Sequence, residues 1–338
     1  MIDISTKEDL LRYLLEKDLI SDPQKAQVHY FSGGVSGTAV LVCENGNKML
    51  VKQAMGKLKV RDIWECDPKR IQVEHNALLV YEKIIPDCVP APISYDEKNY
   101  IMIREAVPED WHMWKEALLD GELNYQVAEK AIRALVTIHN STAISDEVRE
   151  QFQDSQFFYS LRINPYIEYV VEKYPFLKNR AQQVIDFLMN QRIALIHGDY
   201  SPKNILTRDA QICILDLEVA YFGNPCFDVA FFANHFLLKA VYRKEWGAGY
   251  LAMLSYMMKL YFSNVSYMES IAVEEQTVQT IGFLFLARVD GKSPVEYLTN
   301  ENDKELVRKL ALTILNENFT TFEQVFWLMR QVIEGKAI

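Results

Sequence analysis

The feature that most constrains the fold is a change in hydrophobic patterning near Pro108. Before it, short β-branched and aromatic runs alternate with turn-forming segments, and Asn45-Gly46 is a tight hairpin signal. After it, apolar residues recur at helical spacing almost to the C-terminus. The pattern predicts an α+β chain with a small antiparallel β-rich N-lobe over residues 1–105 and a larger, mainly helical C-lobe over residues 106–338.

Individual elements follow from the same patterning. Ser5 and Glu8 have the form of a capping box before an opening helix, and a second helix is expected from Asp67-Pro68 to about Ile84. The predicted strands are 28–31, 39–43, 49–52, 93–95 and 100–103, and the predicted helices of the C-lobe are 123–140, 165–190, 226–240, 243–263, 270–289 and 303–333.

One polar loop in the helical part, between the apolar runs 195–197 and 212–215, carries residues suited to phosphoryl transfer. Asp199 can accept the proton of an attacking hydroxyl, and Asn204 and Asp216 offer oxygen ligands to Mg²⁺ on nucleotide phosphates. A capped turn between two strands would explain each residue alone. The ordered set His-x-Asp-x4-Asn followed by a strand-end Asp-x-Glu is uncommon by chance, so we expect a catalytic loop.

Residues 197–204 with Asp216 resemble the catalytic loop and metal-binding segment of the protein-kinase-like superfamily. The motifs His-Gly-Asp and Asp-Leu-Glu are similar to those of its small-molecule branch, which comprises the aminoglycoside phosphotransferases, choline kinases and methylthioribose kinases. Protein kinases normally carry His-Arg-Asp and Asp-Phe-Gly, so Gly198 and Glu218 depart from them. The resemblance covers roughly residues 28–290 and implies a two-lobed kinase-like fold using ATP or GTP with Mg²⁺.

The resemblance also implies a set of nucleotide-binding residues. Lys52 would hold the α- and β-phosphates with Glu74 as its partner, although Glu82 and Glu65 are nearby alternatives. Backbone groups around Glu105 and Val107 would bond the adenine edge, in a register fixed only to within one residue. A glycine-containing loop would cover the phosphates with Ser32, Gly33, Gly34 and Ser36. Read alone, the same segment also fits an ordinary hairpin turn.

Further residues receive supporting roles from the resemblance. Glu218 is a candidate for an additional metal ligand. Asp228 would brace the backbone of the catalytic loop, and His197 would be a scaffold residue near Asp216. His139 is expected to be a satisfied polar residue near the core.

The acceptor is less constrained. Trp111 and Trp114 could contact it or simply pack, and Arg288 and Asp290 are acceptor candidates in a segment that also fits a helix C-terminus with a turn. Residues 51–61 are similar to methylthioribose kinases, which favours a sugar or methylthioribose-like hydroxyl. Aminoglycoside and choline or amino-alcohol acceptors stay open.

The charge composition bears on which molecules the protein can bind. Acidic residues exceed basic ones for a net charge of −10, and 22 basic and 30 acidic residues lie after residue 105, which disfavours nucleic acid and mildly favours a cationic acceptor. The N-terminus lacks signal-peptide character and no stretch is long enough to cross a bilayer, so we expect a cytoplasmic enzyme without a membrane partner. The oligomeric state is open. A nucleotide-binding pseudokinase and a protein kinase are the rival hypotheses.

Overall fold

A computed structural model describes residues 2–31, 37–54 and 67–336. The chain divides into two compact units: the first unit is Met1–Glu109 with Asp216–Glu218, and the second unit is Asp110–Leu215 with Val219–Ile338. The lobe boundary at residue 105 stays a prediction. Four of the expected nucleotide-binding residues lie outside the described residues: Ser32, Gly33, Gly34 and Ser36.

The first unit is built on a five-stranded antiparallel sheet in the order β1-β2-β3-β5-β4. Its strands are β1 (Gln27–Tyr30), β2 (Gly37–Glu44), β3 (Asn47–Ala54), β4 (Pro92–Asp96) and β5 (Ile101–Glu105). Its helices are α1 (Lys7–Glu16), α2 (Arg70–Ile84) and the 3₁₀ turn Pro86–Cys88.

Side-chain alternation along β3 decides what each face of the sheet meets. Met49 and Val51 pack into the same apolar cluster as the leucines of α1. Ala54 belongs to the opposite face, where it packs with Ile71 of α2. Because neighbouring residues of a strand point to opposite faces, Lys52 shares the face of Ala54 and so points to the side covered by α2.

The N-terminal cap of α1 differs from the prediction by one residue. Thr6, not Ser5, is the cap, and its hydroxyl oxygen accepts from the backbone N–H of Asp9 at 3.2 Å. The Thr6 hydroxyl also donates to the Asp9 carboxylate at 2.8 Å. Both Ser-x-x-Glu and Thr-x-x-Asp spacings are present in the sequence, and spacing alone does not choose between them.

The second unit is mainly helical and carries two small antiparallel sheets, β7-β10 and β6-β8-β9. The strands are β6 (His112–Met113), β7 (Ala194–Ile196), β8 (Ile205–Arg208), β9 (Gln211–Ile214) and β10 (Tyr221–Gly223). The helices are α3 (Trp114–Leu119), α4 (Tyr125–Ala143), α5 (Asp146–Gln151), α6 (Gln156–Phe158), α7 (Tyr169–Lys173), α8 (Lys178–Asn190), α9 (Cys226–Tyr242), α10 (Gly247–Asn264), α11 (Ser270–Asp290), α12 (Glu301–Asn316) and α13 (Phe322–Ile333).

Two of the long predicted helices are each interrupted. The expected helix 165–190 is instead a π-helical segment (Tyr159–Glu168), the short α7, and α8 after a 3₁₀ turn that begins at Pro175. The expected helix 303–333 is α12 and α13, because Thr321 and Gln324 form a capping box that starts a new helix. Apolar periodicity continues across both breaks and therefore hides them.

Helix α9 forms the centre of the second unit. All but its last residue are buried, and it packs against α10 and α11. A helix that is apolar on nearly every side must be covered on all of them, which accounts for its central position. Among the described helices, none combines the length and apolar character that crossing a bilayer requires.

Candidate active site

The predicted catalytic loop follows β7 in the second unit and is held by its own histidine. The backbone N–H of Asp199 donates to His197 Nδ1 at 3.2 Å, so Nε2 carries the proton and donates to the carbonyl of Leu215 at 3.1 Å. The amide N–H of Leu215 in turn donates to the carbonyl of Asn204 at 2.9 Å. His197 thus connects the loop to the end of β9, in the scaffold role expected for it.

Asp228, near the start of α9, braces this loop as predicted. Its carboxylate accepts the backbone N–H groups of His197 (2.6 Å) and Gly198 (2.8 Å). His139 Nε2 lies 3.3 Å from the same carboxylate, and the His139 Nδ1 atom is 2.7 Å from the Tyr261 hydroxyl. His139 is fully buried with both nitrogens partnered, which confirms the satisfied core histidine.

Gly198 is required by the loop geometry. Its φ is +74°, in the left-handed region, and a Cβ added there would lie 2.7 Å from the carbonyl oxygen of Val219. Both the backbone conformation and the close approach exclude a larger side chain. This is the physical reason that His-Gly-Asp stands here rather than His-Arg-Asp.

Asp199 is oriented from two sides. Asn204 Nδ2 donates to its carboxylate Oδ2 at 2.9 Å and to its carbonyl at 3.0 Å. Arg162, in the π-helical segment, places Nη2 3.2 Å from the same Oδ2 and donates from Nε to the carbonyl of Gly198. Because Asn204 uses its NH₂ group on Asp199, its Oδ1 is the atom that can face a cation.

The first unit holds a second charged cluster, centred on Lys52. Its Nζ lies 2.6 Å from Glu74 Oε2 and 3.2 Å from Asp216 Oδ1. Glu74 reaches it because residues 71 and 74 share the face of α2 that covers the sheet. Among the described residues, Glu74 and not Glu82 is paired with Lys52. Glu65, the other alternative, lies outside the described residues.

Electrostatics favour a charged Lys52. Burial alone would lower the Lys52 pKa, but the carboxylates of Glu74, Asp216 and Glu218 outweigh burial and raise it above its ordinary value. Burial, followed by repulsion from Asp216, raises the pKa of Glu218, which also accepts from Arg70 Nε at 3.2 Å. Asp216 has a φ of +68°, a strained conformation that the surrounding contacts maintain.

The carboxylates fit a hard divalent cation. Glu74, Asp216 and Glu218 can each offer one oxygen such that these atoms lie within 4.8 Å of one another. Carboxylate and amide oxygens are the ligands that Mg²⁺ takes in proteins. Asp216 and Glu218 were expected as ligands, and Glu74 joins them in this geometry.

The hinge residues are used partly by the sheet. The N–H of Glu105 donates to the carbonyl of Ala91 at 2.9 Å, so only its carbonyl can serve a nucleotide. That carbonyl already accepts from Arg104 Nη1 at 2.9 Å. Across the described ranges, the N–H of Val107 has no hydrogen-bond partner, so it is the better placed of the two predicted contacts.

The four acceptor candidates separate into two kinds. Trp114 is 1% exposed and packs on Phe232 and Phe236, which favours the packing alternative and corrects its choice as an acceptor contact. Asp290 accepts both Nε and Nη2 of Arg308 at 2.9 Å, so it is committed to a structural ion pair.

Trp111 and Arg288 stay candidates. The guanidinium of Arg208 lies 5.1 Å from the Trp111 ring centroid, and the Trp111 side chain is half-buried. Arg288 Nη1 donates to the Tyr166 hydroxyl (3.1 Å) and to the Ser293 carbonyl (2.7 Å).

Arg162 and Arg70 were missed from the sequence. Arg70 is 1% exposed and pairs with Glu218. The only signal for Arg162 is a lone arginine within an apolar and aromatic run before Pro165. A single cation in such a run usually needs a buried partner, and here the partner is Asp199.

The chain is similar to known proteins in both sequence and fold. Residues 29–261 match the model of a family described as the phosphotransferase enzyme family. A methylthioribose kinase of Bacillus mycoides is 23% identical over 269 residues, which cover 71% of this chain and 68% of that protein. A methylthioribose kinase of Bacillus cereus is 24% identical and covers 61% and 59% of the two chains.

Solved structures share the fold at low identity. A choline kinase of Cryptosporidium parvum superposes with a TM-score of 0.57 at 11% identity, over 98% of this chain and 97% of that one. A choline/ethanolamine kinase family protein of Mesorhizobium loti gives 0.55 at 12% identity, over 96% and 100%. They confirm the predicted α+β, protein-kinase-like fold. The family match extends over more than half of the chain, which therefore belongs to the phosphotransferase enzyme family, the small-molecule kinases that transfer phosphate to a hydroxyl.

Proposed function

We propose that this enzyme transfers the γ-phosphoryl group of ATP or GTP to a hydroxyl of a small sugar or methylthioribose-like metabolite. The observation that carries the proposal is the setting of Asp199, whose carboxylate is held by Asn204 and Arg162 in a loop braced from α9. A carboxylate fixed in this way can orient a hydroxyl and accept its proton as the new P–O bond forms.

Other residues would position the nucleotide. Lys52, aimed by Glu74, would contact its phosphates. Asn204 and Asp216 would hold Mg²⁺ with Glu218 as a further ligand, and the carboxylates of Asp216 and Glu218 lie near each other. Mg²⁺ bound there supplies neutralisation of phosphate charge. Val107, Glu105 and the glycine-loop residues would bind the rest of the nucleotide. Positioning and charge neutralisation account for most of the rate in this kind of reaction.

The choice of acceptor rests on relatives alone. Two curated methylthioribose kinases match about two thirds of this chain, which favours a sugar hydroxyl over aminoglycosides, choline or amino-alcohols. A pseudokinase is disfavoured because the base, the metal ligands and the lysine are all present. We propose a cytoplasmic location as well.

The test is ADP or GDP release with Mg²⁺ against methylthioribose, other pentoses, kanamycin and choline. Asp199→Asn should abolish turnover and leave nucleotide binding, measured by calorimetry, nearly intact. Asp209→Asn is the matched control, because Asp209 is exposed in the turn between β8 and β9 at φ +53°, a conformation that asparagine tolerates. Turnover of Asp199→Asn near the wild-type rate would refute the role of Asp199, and turnover only with kanamycin or choline would refute the sugar acceptor.

A further inference from the structure

One face of α9 runs from the catalytic loop into a basic part of the second unit. Asp228, Phe231, His235 and Lys239 recur at spacings of three and four and so lie along one side of the helix. At a rise of 1.5 Å per residue, His235 lies about 10 Å and Lys239 about 16 Å beyond Asp228 along the axis. His235 is 5% exposed and Lys239 is fully buried.

Four cationic or titratable side chains meet here, which we call the basic cluster: Lys115, His235, Lys239 and Arg288. Lys115, Lys239 and Arg288 each lie close enough to His235 to lower its pKa, and Lys115 and Arg288 also lower the pKa of Lys239. Glu296 is the acid that raises the pKa of Lys239, and it pairs with Lys115 and is itself largely exposed. The cluster therefore contains three basic side chains and a histidine against one largely exposed acid, inside a unit whose net charge is negative.

Polar atoms of the cluster are left without partners. Within the described part of the chain, His235 Nε2, Arg288 Nε and the hydroxyl of neighbouring Tyr297 are buried and make no hydrogen bond. Lys239 Nζ has a long contact of 3.4 Å to the carbonyl of His235 and lies 5.5 Å from the Tyr297 ring centroid. Buried polar atoms without hydrogen-bond partners are costly and rare in folded proteins.

The pKa shifts of Lys239 and His235 also reflect the excess of basic over acidic side chains in the cluster. Burial, then repulsion from Lys115 and Arg288, lowers the pKa of Lys239 to about 7 against the partial compensation of Glu296. Burial and the neighbouring cations also lower the pKa of His235. An anion held among these groups would supply the missing counter-charge and acceptors.

The basic cluster is continuous with Asp199. The guanidinium of Arg162, which pairs with Asp199, lies 5.8 Å from the ring centroids of both Tyr166 and Phe231. The hydroxyl of Tyr166 accepts from Arg288, and the Phe231 ring lies 5.2 Å from that of His235. These two aromatic rings therefore join the catalytic carboxylate to the cluster within the second unit.

We propose that the acceptor carries an anionic oxygen group, a carboxylate or a phosphate, which the basic cluster binds while the reacting hydroxyl lies at Asp199. This inference rests on the proposed function and narrows its acceptor to hydroxylated anions such as sugar acids and sugar phosphates, so that methylthioribose itself, which is neutral, would not be the acceptor. A cationic acceptor such as an aminoglycoside or choline would meet like charge at the cluster, which costs free energy. The negative charge of the second unit as a whole is then a property of its surface and not of its acceptor site.

The test measures binding without nucleotide, by calorimetry at constant ionic strength, for pairs that differ in the anionic group. Ribose 5-phosphate is compared with ribose, and gluconate with glucitol, so that phosphate and carboxylate are distinguished; choline is the cationic probe. The anionic member of at least one pair should bind about tenfold or more tightly than its neutral partner, as one charge-assisted contact provides.

Two variants assign that preference to the cluster. Lys239→Met and Arg288→Gln should each reduce it to below about threefold, since each removes one cationic donor. Lys259→Met, an exposed lysine of α10, is the matched control for loss of charge and should keep the full preference. Arg288 is half-buried, so Arg288→Gln gives a reading if Lys239→Met does not fold.

Equal binding of both members of each pair, no binding by any of them, tighter binding of choline, or a preference that survives in both variants would overturn the inference. ADP release is recorded separately with the preferred probe. Its absence would count against phosphoryl transfer alone, because the binding measurement contains no nucleotide.

Discussion

Among single residues, Lys52 interacts with more of the charged groups in its cluster than a simple ion pair would. Its ammonium interacts favourably with three carboxylates that come from α2 and from the Asp216–Glu218 segment. Removing it leaves these carboxylates to repel one another in a partly buried setting, and it also removes the proposed contact to phosphate.

Lys52→Met should therefore reduce kcat by about a hundredfold or more, as loss of one preorganised charged donor does. The measurement is ADP release with the acceptor identified by the panel. Lys48→Met is the matched control on the same strand, because Lys48 pairs with Glu109 at an exposed site. Turnover of Lys52→Met within threefold of the control would contradict the assigned role.

Gly198 and Gly46 both have a positive φ, but only at Gly198 would an added Cβ meet another atom. Gly198→Ala should destabilise the protein by more than the 1–2 kcal/mol or so that the left-handed conformation costs, because its Cβ would also contact the Val219 carbonyl. Gly46 has a φ of +86° with no atom within 4 Å of an added Cβ, so Gly46→Ala reports the conformational cost alone. Urea unfolding followed by fluorescence compares them, and equal losses would argue against the steric contact.

Residues of the site were predictable where local spacing determines them. Asp199, Asn204 and Asp216 occur as one short ordered pattern, and the resemblance that this pattern carries implied the pairing of Lys52 with Glu74. Arg162, Arg70 and the members of the basic cluster other than Arg288 were not, because their partners are distant in the sequence and single lysines or arginines resemble surface residues. Trp114 is the opposite case: the sequence offered it as an acceptor contact, and the structure buries it in the core.

At the level of elements, α9 has two functions. Its first turn supplies Asp228 to the catalytic loop, and its later turns carry His235 and Lys239. Its sequence shows only that it is buried, since apolar residues occupy nearly every side. Which polar residue meets which loop is decided by tertiary packing that periodicity does not encode, as with the unpredicted breaks at Pro175 and Thr321.

Asp228→Asn tests the brace. An asparagine presents one acceptor oxygen and an NH₂ group, so it cannot accept from both His197 and Gly198 as the carboxylate does. The free energy of unfolding should fall by about 2–3 kcal/mol, and kcat should fall with it. Urea unfolding and ADP release measure the two effects, with Asp209→Asn as the control. Unchanged stability would show that the loop does not depend on this carboxylate.

For the whole molecule, Lys239 makes stability depend on pH. Its ordinary pKa of 10.5 applies in the unfolded chain, and burial with neighbouring cations lowers it to about 7 in the fold. Between about pH 7 and 10 the unfolded chain therefore binds one more proton than the native protein, and the free energy of unfolding rises with pH.

The rise attributable to Lys239 should approach 1.4 kcal/mol per pH unit or so, the limit for one proton. It is measured as the difference between the wild type and Lys239→Met in urea unfolding at pH 7, 8 and 9, because other titrations cancel in that difference. At neutral pH, Lys239→Met should be at least as stable as the wild type, since a buried cation is replaced by an apolar chain of similar length. The free energy of unfolding of the wild type minus that of Lys239→Met should therefore rise with pH, and a value that stays constant or falls would contradict the lowered pKa.

Asp216, Leu217 and Glu218 belong to the first unit although the chain on either side of them belongs to the second. The protein therefore cannot be recombined with a relative by a single junction near residue 109. A chimera made there would inherit Lys52 and Glu74 from one parent and the facing carboxylates from the other. Exchanging the first unit intact requires two grafts, the N-terminal segment and this tripeptide, and mutations in one graft are expected to be compensated in the other.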